Sequence, residues 1–200
     1  MGVQAIVPQK ALTIAKGRLS AVLSRAARAQ LSLWLLESVC RALGAVDSVE
    51  AVTVMTPDPD VQRHAARWGV RATFDARPDL NGALAALFAG LAGPEHALLV
   101  VAADLPMLRP SDVVALITRG AQRSIVLAPS KDGTGTNALL LPPGVAMPPA
   151  YGPGSFFAHR DRARRLGLGV VEIRRPGLGF DVDTPADLNG LERTAWSEAR

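Results

Sequence analysis

Three short segments of this chain carry residues whose types and spacing suit chemistry on a polyphosphate. The first is Pro8-Gln9-Lys10 followed by Ala15-Lys16-Gly17-Arg18-Leu19, which places three cations within nine residues. Ammonium, guanidinium and backbone N–H groups together can hold phosphate oxygens. A solvated basic loop is the competing reading, because the segment is neither a P-loop nor a GxGxxG turn. The second is Ala103-Asp104-Leu105-Pro106, directly after a strongly apolar run. A carboxylate at a strand end facing a cleft can ligate a hard cation, although an Asp ahead of a proline also serves as a turn or cap residue. The third is Phe180-Asp181-Val182-Asp183-Thr184-Pro185. In extended backbone Asp181 and Asp183 project to one side, where they repel unless a cation lies between them. Magnesium suits such donors, and the competing reading is a helix cap by Asp183 or Thr184.

A fourth feature is a pair of glycine-rich turns, Gly133-Thr134-Gly135-Thr136-Asn137 and Tyr151-Gly152-Pro153-Gly154-Ser155. Glycine lets backbone approach a ligand, and Thr136 and Ser155 add hydroxyls. Ser155 also opens a helix whose first N–H groups suit an anion. His64, His96 and His159 lack metal-ligand spacing, and Cys40 has no evident catalytic partner. Hydrolysis based on Ser or Cys is therefore disfavoured.

These segments need a scaffold, and the apolar pattern supplies one. Strands are predicted at 3–7, 49–55, 70–74, 97–101, 124–128, 137–141 and 169–174. Helices are predicted from Leu19 to about Gly44, through about Trp68, at 81–91, from an N-cap at Ser111 to about Thr118, at 155–166, and beyond Thr184-Pro185. Cys40 falls at the edge of the first helical stripe and reads as a small core residue. Strands separated by helices imply crossover connections, hence a doubly wound α/β fold with a mostly parallel sheet. In such a sheet ligands bind beyond the carboxyl ends of the strands, where the three acidic and basic segments lie.

Composition agrees. The 200 residues fit one domain, expected to span 1–200, with 48% hydrophobic and 20% charged residues. One cysteine cannot form an intrachain disulfide. No stretch is long and apolar enough for a membrane span, and the first residues lack a signal-peptide pattern, so a cytoplasmic protein without a membrane partner is expected. The net charge of +4 favours anionic partners only mildly. Six arginines fall between Arg160 and Arg175, read as a solvated face and edge strand. No nucleic-acid module accompanies them, so no nucleic-acid partner is expected.

In order, the stretches AIVPQKAL, AKGRLS, PDLNGAL, ADLPML, APSKDGTGTNALL, YGPGSFFAH and FDVDTPADL resemble the CofC/FbiD family of guanylyltransferases of coenzyme F420 biosynthesis. The resemblance spans nearly the whole chain and departs at Met107, where leucine is usual. It implies a Rossmann-like, GT-A-like nucleotidyltransferase fold. It also implies GTP and a small phospho-carboxylic acid as substrates (phosphoenolpyruvate, 2-phospho-L-lactate or 3-phospho-D-glycerate), with pyrophosphate released. By the same resemblance Asp104, Asp181 and Asp183 would ligate one or two Mg2+ ions. Lys16, Arg18 and Lys10 would hold the GTP phosphates, with Lys16 and Asp104 as catalytic residues. Asp79, Asn81 and Gly82 would lie near the nucleoside, and Thr136, Gly152 and Ser155 would cradle the acceptor. His159 belongs to a matching motif and is expected to be structural.

The alternatives are a related nucleotidyltransferase acting on a sugar phosphate or molybdopterin, a glycosyltransferase, and a nonenzymatic nucleotide-sensing module. The LAAGxxxRM-type loop of the first is missing, and the second would leave little chain for an acceptor domain. Trp34 and Trp196 are the candidates for a homodimer face.

Overall fold

The computed structural model describes residues 2–75, 77, 79–91, 93–120 and 123–192. Seven strands form one sheet: β1 (Gly2–Pro8), β2 (Val49–Thr56), β3 (Arg71–Phe74), β4 (His96–Val101), β5 (Ser124–Pro129), β6 (Thr136–Leu141) and β7 (Gly169–Glu172). Their order is β3-β2-β1-β4-β6-β5-β7, with β6 alone antiparallel to its neighbours. Among the described residues seven α-helices accompany them: α1 (Arg25–Gly44), α2 (Pro59–Arg67), α3 (Leu80–Leu91), α4 (Pro110–Thr118), α5 (Ser155–Arg165), the single turn α6 (Pro176–Gly179) and α7 (Pro185–Glu192). Among the described residues no helix is long and apolar enough to cross a membrane.

The central strands read as unbroken apolar runs because both faces are covered. Along β4, Ala97, Leu99 and Val101 enter one core while Leu98 and Val100 enter the other. The first core is closed by α1, α2 and α4 through residues such as Leu36, Val39, Val61 and Leu116. The second is closed by α3 and α5 through Leu84, Phe88 and Phe156. Cys40 is buried in the first core, and burial pushes its thiol up to about 12.

Two helix starts differ from the pattern-based expectation. The first helix begins at Arg25, not Leu19, because Ser24 accepts a bond from Ala27 N–H at 3.2 Å and sets the start there. Leu19 has the right period but is claimed by a separate cluster described below. At α4 the cap is Arg109, not Ser111: Pro110 takes the first helical position, and Asp112 Oδ2 accepts from Arg109 N–H at 3.1 Å.

A third cluster matters most for the site. Leu19, Leu31, Leu35, Val182, Leu188 and Leu191 are buried together. It packs the loop after β1 and the segment before α7 onto the N-terminal half of α1. Trp34 is half-buried against the same cluster, whereas Trp196 lies outside the described residues.

Candidate active site

The chain runs from β1 outward to β2 and β3, then returns to the other side of β1 as β4. That reversal opens a crevice at the carboxyl ends of β1 and β4. A cleft of about 370 Å3 lies there, lined by Gln9, Lys10, Lys16, Gly17 and Arg18 after β1 and by Ala102, Ala103 and Asp104 after β4. Thr136, Tyr151, Asp183 and Leu80 complete its wall. Thr136 opens a strand, yet it reaches this end because β6 is antiparallel: Val101 pairs with Ala138, and Ala102 N–H bonds Asn137 O at 2.8 Å.

Lys16 stands at the centre. Its Nζ donates to Asp104 Oδ2 at 2.6 Å and to Asp183 Oδ1 at 3.1 Å. Arg18, 76% exposed, approaches Asp183 Oδ2 at 3.5 Å from the solvent side. Burial alone would lower the Lys16 pKa, but the charges of Asp104 and then Asp183 outweigh it, so the ammonium is held above its ordinary range. Its backbone sits in the left-handed region at φ 52°, which is strained for a residue with a Cβ. Such strain persists only where the surroundings over-determine it. Here Leu19, fully buried three residues on, and a bond from Arg28 Nη1 to Ala15 O at 3.2 Å hold the loop on either side.

The acidic tail segment is delivered by the same apolar packing. Val182 is fully buried, while its neighbours Asp181 and Asp183 are each partly exposed. Val182 N–H bonds Asp104 O at 3.2 Å, which ties the two acidic segments through the backbone. Thr184, not Asp183, starts the following helix: Asp187 Oδ2 accepts from Thr184 N–H at 2.8 Å, the reciprocal half of a capping box. Asp183 is therefore left to Lys16. Asp181 accepts from Asn137 Nδ2 at 3.3 Å. Its carboxyl is pushed above the usual range by burial first and then by the charge of Asp104, with Asp183 adding to it.

Asp104 and Asp183 thus meet at one ammonium beside an exposed guanidinium, with Asp181 near enough to feel the charges of both carboxylates. The donor set is all oxygen and carries unrelieved like-charge repulsion at Asp181, which fits a hard divalent cation. Among the described residues, however, no three His, Cys, Asp or Glu side chains already converge as a metal cage. The Lys16 ammonium takes the place between Asp104 and Asp183.

The other wall is neutral. Thr136 Oγ1 lies 3.0 Å from His159 Nδ1, and His159 Nε2 accepts from Ala150 N–H at 2.9 Å. His159 is fully buried, with its pKa lowered to about 4 by burial and then by the Arg162 charge. Gly152 (φ 134°) and Gly154 (φ 70°) hold backbone conformations that side chains rarely adopt, and they bend the chain into the start of α5. Ser155 is buried there, and its N–H bonds Gly152 O at 3.1 Å.

Several neighbouring side chains also have bonds that hold the site's frame together. Asp79 caps α3, accepting from Asn81 N–H at 3.2 Å and Gly82 N–H at 2.8 Å. Asn81 spends its side-chain amide on the opposite wall: Nδ2 donates to Tyr151 O at 2.9 Å, and Oδ1 accepts from Tyr151 N–H at 2.6 Å. It is a clasp between α3 and the glycine loop, and the sequence carried no sign of this pairing across 70 positions. Arg162 was read as part of a solvated face, yet it donates to Pro148 O and Pro149 O and braces the same loop. Arg175 likewise pairs with the buried Asp112 at 2.5 Å.

Comparison with known proteins shows the family and the fold. The family described as "Guanylyl transferase CofC like" matches residues 3–192. A phosphoenolpyruvate guanylyltransferase of Sphaerobacter thermophilus is 43% identical over 188 residues, covering 94% of this chain and 91% of that protein. One from Rubrobacter xylanophilus is 41% identical over 202 residues, covering 100% and 98%. Among solved structures, a candidate nucleotide-diphospho-sugar transferase from Desulfovibrio desulfuricans G20 superposes with a TM-score of 0.80 at 17% identity, over 97% of this chain and 88% of that one. A 4-diphosphocytidyl-2C-methyl-D-erythritol synthase gives 0.64 at 15% identity, over 96% and 98%. At those identities the structural likeness speaks for the fold alone.

Proposed function

The chain belongs to the CofC-like guanylyl transferase family, and on that premise we propose that it joins the guanylyl group of GTP to phosphoenolpyruvate, releasing pyrophosphate, as a step of coenzyme F420 biosynthesis. The observation that carries this reading is the contact of Lys16 with both Asp104 and Asp183 at the sheet's switch point, beside the basic loop.

The reaction is in-line attack by an acceptor phosphate oxygen on the α-phosphorus of GTP. The attacking oxygen is already ionised, so no general base is needed, consistent with a neutral, buried His159 on the acceptor wall. Two anions must instead be brought together. Each unit pair of like charges at 4 Å costs about 4 kcal/mol at an effective dielectric of 20. Lys16, Arg18 and Lys10 offset that repulsion by holding the triphosphate. Lys16 is restrained on its carboxylates, so its charge needs little reorganisation as the α-phosphorus becomes crowded.

Asp104, Asp181 and Asp183 are the residues that would hold one or two magnesium ions. Such ions neutralise phosphate charge and polarise the phosphoryl group when bound. Thr136 positions the acceptor through its hydroxyl, and Gly152 and Ser155 shape the turn beside it. Asn81 keeps their loop in register with α3. The enzyme's contribution is orientation and charge, with no covalent intermediate. We take residues 1–200 as one such domain, acting on small molecules.

The test is mass spectrometry of the product formed from GTP with phosphoenolpyruvate, 2-phospho-L-lactate and 3-phospho-D-glycerate in competition. The phosphoenolpyruvate adduct is expected to dominate. Dominance by either other acid would reassign the acceptor, and no adduct with any of them would overturn the reading.

A further inference from the structure

His159 lies outside the chemistry proposed above, yet it is fully buried and both ring nitrogens are engaged. A backbone N–H can only donate, so at Ala150 the His159 Nε2 must be the acceptor. A neutral imidazole carries one proton, and that proton is then on Nδ1. Nδ1 faces Thr136 Oγ1 at 3.0 Å with the Ser155 backbone carbonyl as a second acceptor beside it, so the hydroxyl oxygen receives a share of that bond. A hydroxyl has one hydrogen and two lone pairs. With a lone pair engaged by His159, the hydrogen of Thr136 remains to be given elsewhere, and Thr136 lines the cleft.

We propose that His159 is a positioning residue for the acceptor, fixing the Thr136 hydroxyl as a hydrogen-bond donor aimed at an anionic oxygen of the incoming acid. The inference rests on the acceptor reading of the preceding section. The opposite tautomer would reverse the polarity: Thr136 would donate to Nδ1 and turn a lone pair towards an anion. Ala150 N–H prevents this, and three contacts hold Ala150 in place. Arg162 bonds the carbonyls of Pro148 and Pro149, Asn81 grips Tyr151 on both sides, and the Tyr151 ring meets His159 edge-on at 4.8 Å. Burial and the Arg162 charge keep the ring neutral through the ordinary pH range, so the device is permanent.

Amide side chains separate the two halves of the idea. In His159→Asn the amide nitrogen falls near the place of Nδ1 and can still donate to Thr136. In His159→Gln the amide oxygen falls near Nε2 and can still accept from Ala150, but the bond to Thr136 is lost. Steady-state kinetics with phosphoenolpyruvate and GTP are expected to show acceptor KM raised about tenfold in His159→Gln and in Thr136→Val, with GTP KM changed less than about twofold. His159→Asn should stay within about threefold of the parent acceptor KM. Adding His159→Gln to Thr136→Val should raise acceptor KM little further, since both remove one device.

Equal rises in both KM values, unchanged acceptor KM in folded His159→Gln, or effects that multiply in the double variant would each overturn the proposal. Nitrogen-15 shifts of the His159 ring in the unliganded parent protein test the tautomer without turnover, whether or not the variants fold. A neutral ring protonated on Nδ1 supports the proposal, and one protonated on Nε2 overturns it. A failure of the guanylyl-transfer reading would instead appear as no product with any acid while the ring shifts stayed as expected.

Discussion

The two walls of the cleft are built on opposite principles. On the Lys16 side, charges gather: Asp104 and Asp183 share one restrained ammonium, and Asp181 is driven above its usual range by burial and then by the charge of Asp104. On the Thr136 side the groups that face the cleft are neutral and held by hydrogen bonds before any ligand arrives, through His159 and Asn81, with the Arg162 guanidinium bracing the loop behind them. The charged wall is therefore poised to respond to cations and phosphates, and its cost is borne by the small third cluster around Leu19 and Val182. The neutral wall needs no ligand to hold its shape. Substitutions on the first side should uncouple turnover from stability, while those on the second should move acceptor affinity and pH response.

The contrast can be broken in descending order of effect. Lys16→Met removes the charge that both Asp104 and Asp183 share, and turnover in a pyrophosphate-release assay is expected to fall about a hundredfold or more. A loss below about threefold would mean the contact is ornamental to the chemistry. Leu19→Ala empties a fully buried position in the third cluster and should cost about 3 kcal/mol in denaturant unfolding. Because the same cluster delivers Asp183, turnover should fall even where the variant remains folded. Unchanged turnover would show that Lys16 and Asp183 are aligned by something else.

The neutral wall predicts a pH response. His159 has a folded pKa near 4 against an ordinary value of 6.5, so the unfolded chain takes up the proton first. The stability it carries is complete above pH 6.5 and lost as pH falls towards 4, by about 3 kcal/mol. Asp181, whose carboxyl is raised, acts with the opposite sign, gaining stability on acidification. The difference between parent and His159→Gln unfolding free energies isolates the histidine, and it should shrink from pH 6.5 to pH 4. A constant difference would contradict the buried neutral ring. Asp181→Asn should raise the melting temperature by roughly 2–4 °C while lowering turnover, the mark of a charge kept for function. Smallest of all, native Cys40 should resist alkylation at neutral pH, since its thiol titrates near 12. Rapid labelling without loss of structure would show that it is less buried than described.

Much of the charged wall was legible in the chain. The pattern around Val182 marked it as the buried residue between two more exposed aspartates, and the apolar run before Asp104 placed it at a strand end. What the chain could not announce was the partnership of Lys16 with carboxylates 88 and 167 positions away, since no local rule links them. Leu19 shows the same limit from the other direction. Its period suits α1, but tertiary packing against Val182 claims it, and the helix starts later at a serine cap. The neutral wall was less legible still. Thr136 and Ser155 stood out by their glycines, but the clasp of Asn81, the brace of Arg162 and the two-sided bonding of His159 depend on which backbone atoms meet across the fold.

Asp104 is where the charged wall and the proposed reaction depend on each other most closely. The direct measurement is pyrophosphate release from GTP and phosphoenolpyruvate by the parent protein and by Asp104→Asn, at equal fraction folded and saturating magnesium. The account predicts that the variant keeps its fold and loses about a thousandfold in turnover. Near-normal turnover in the folded variant would contradict it.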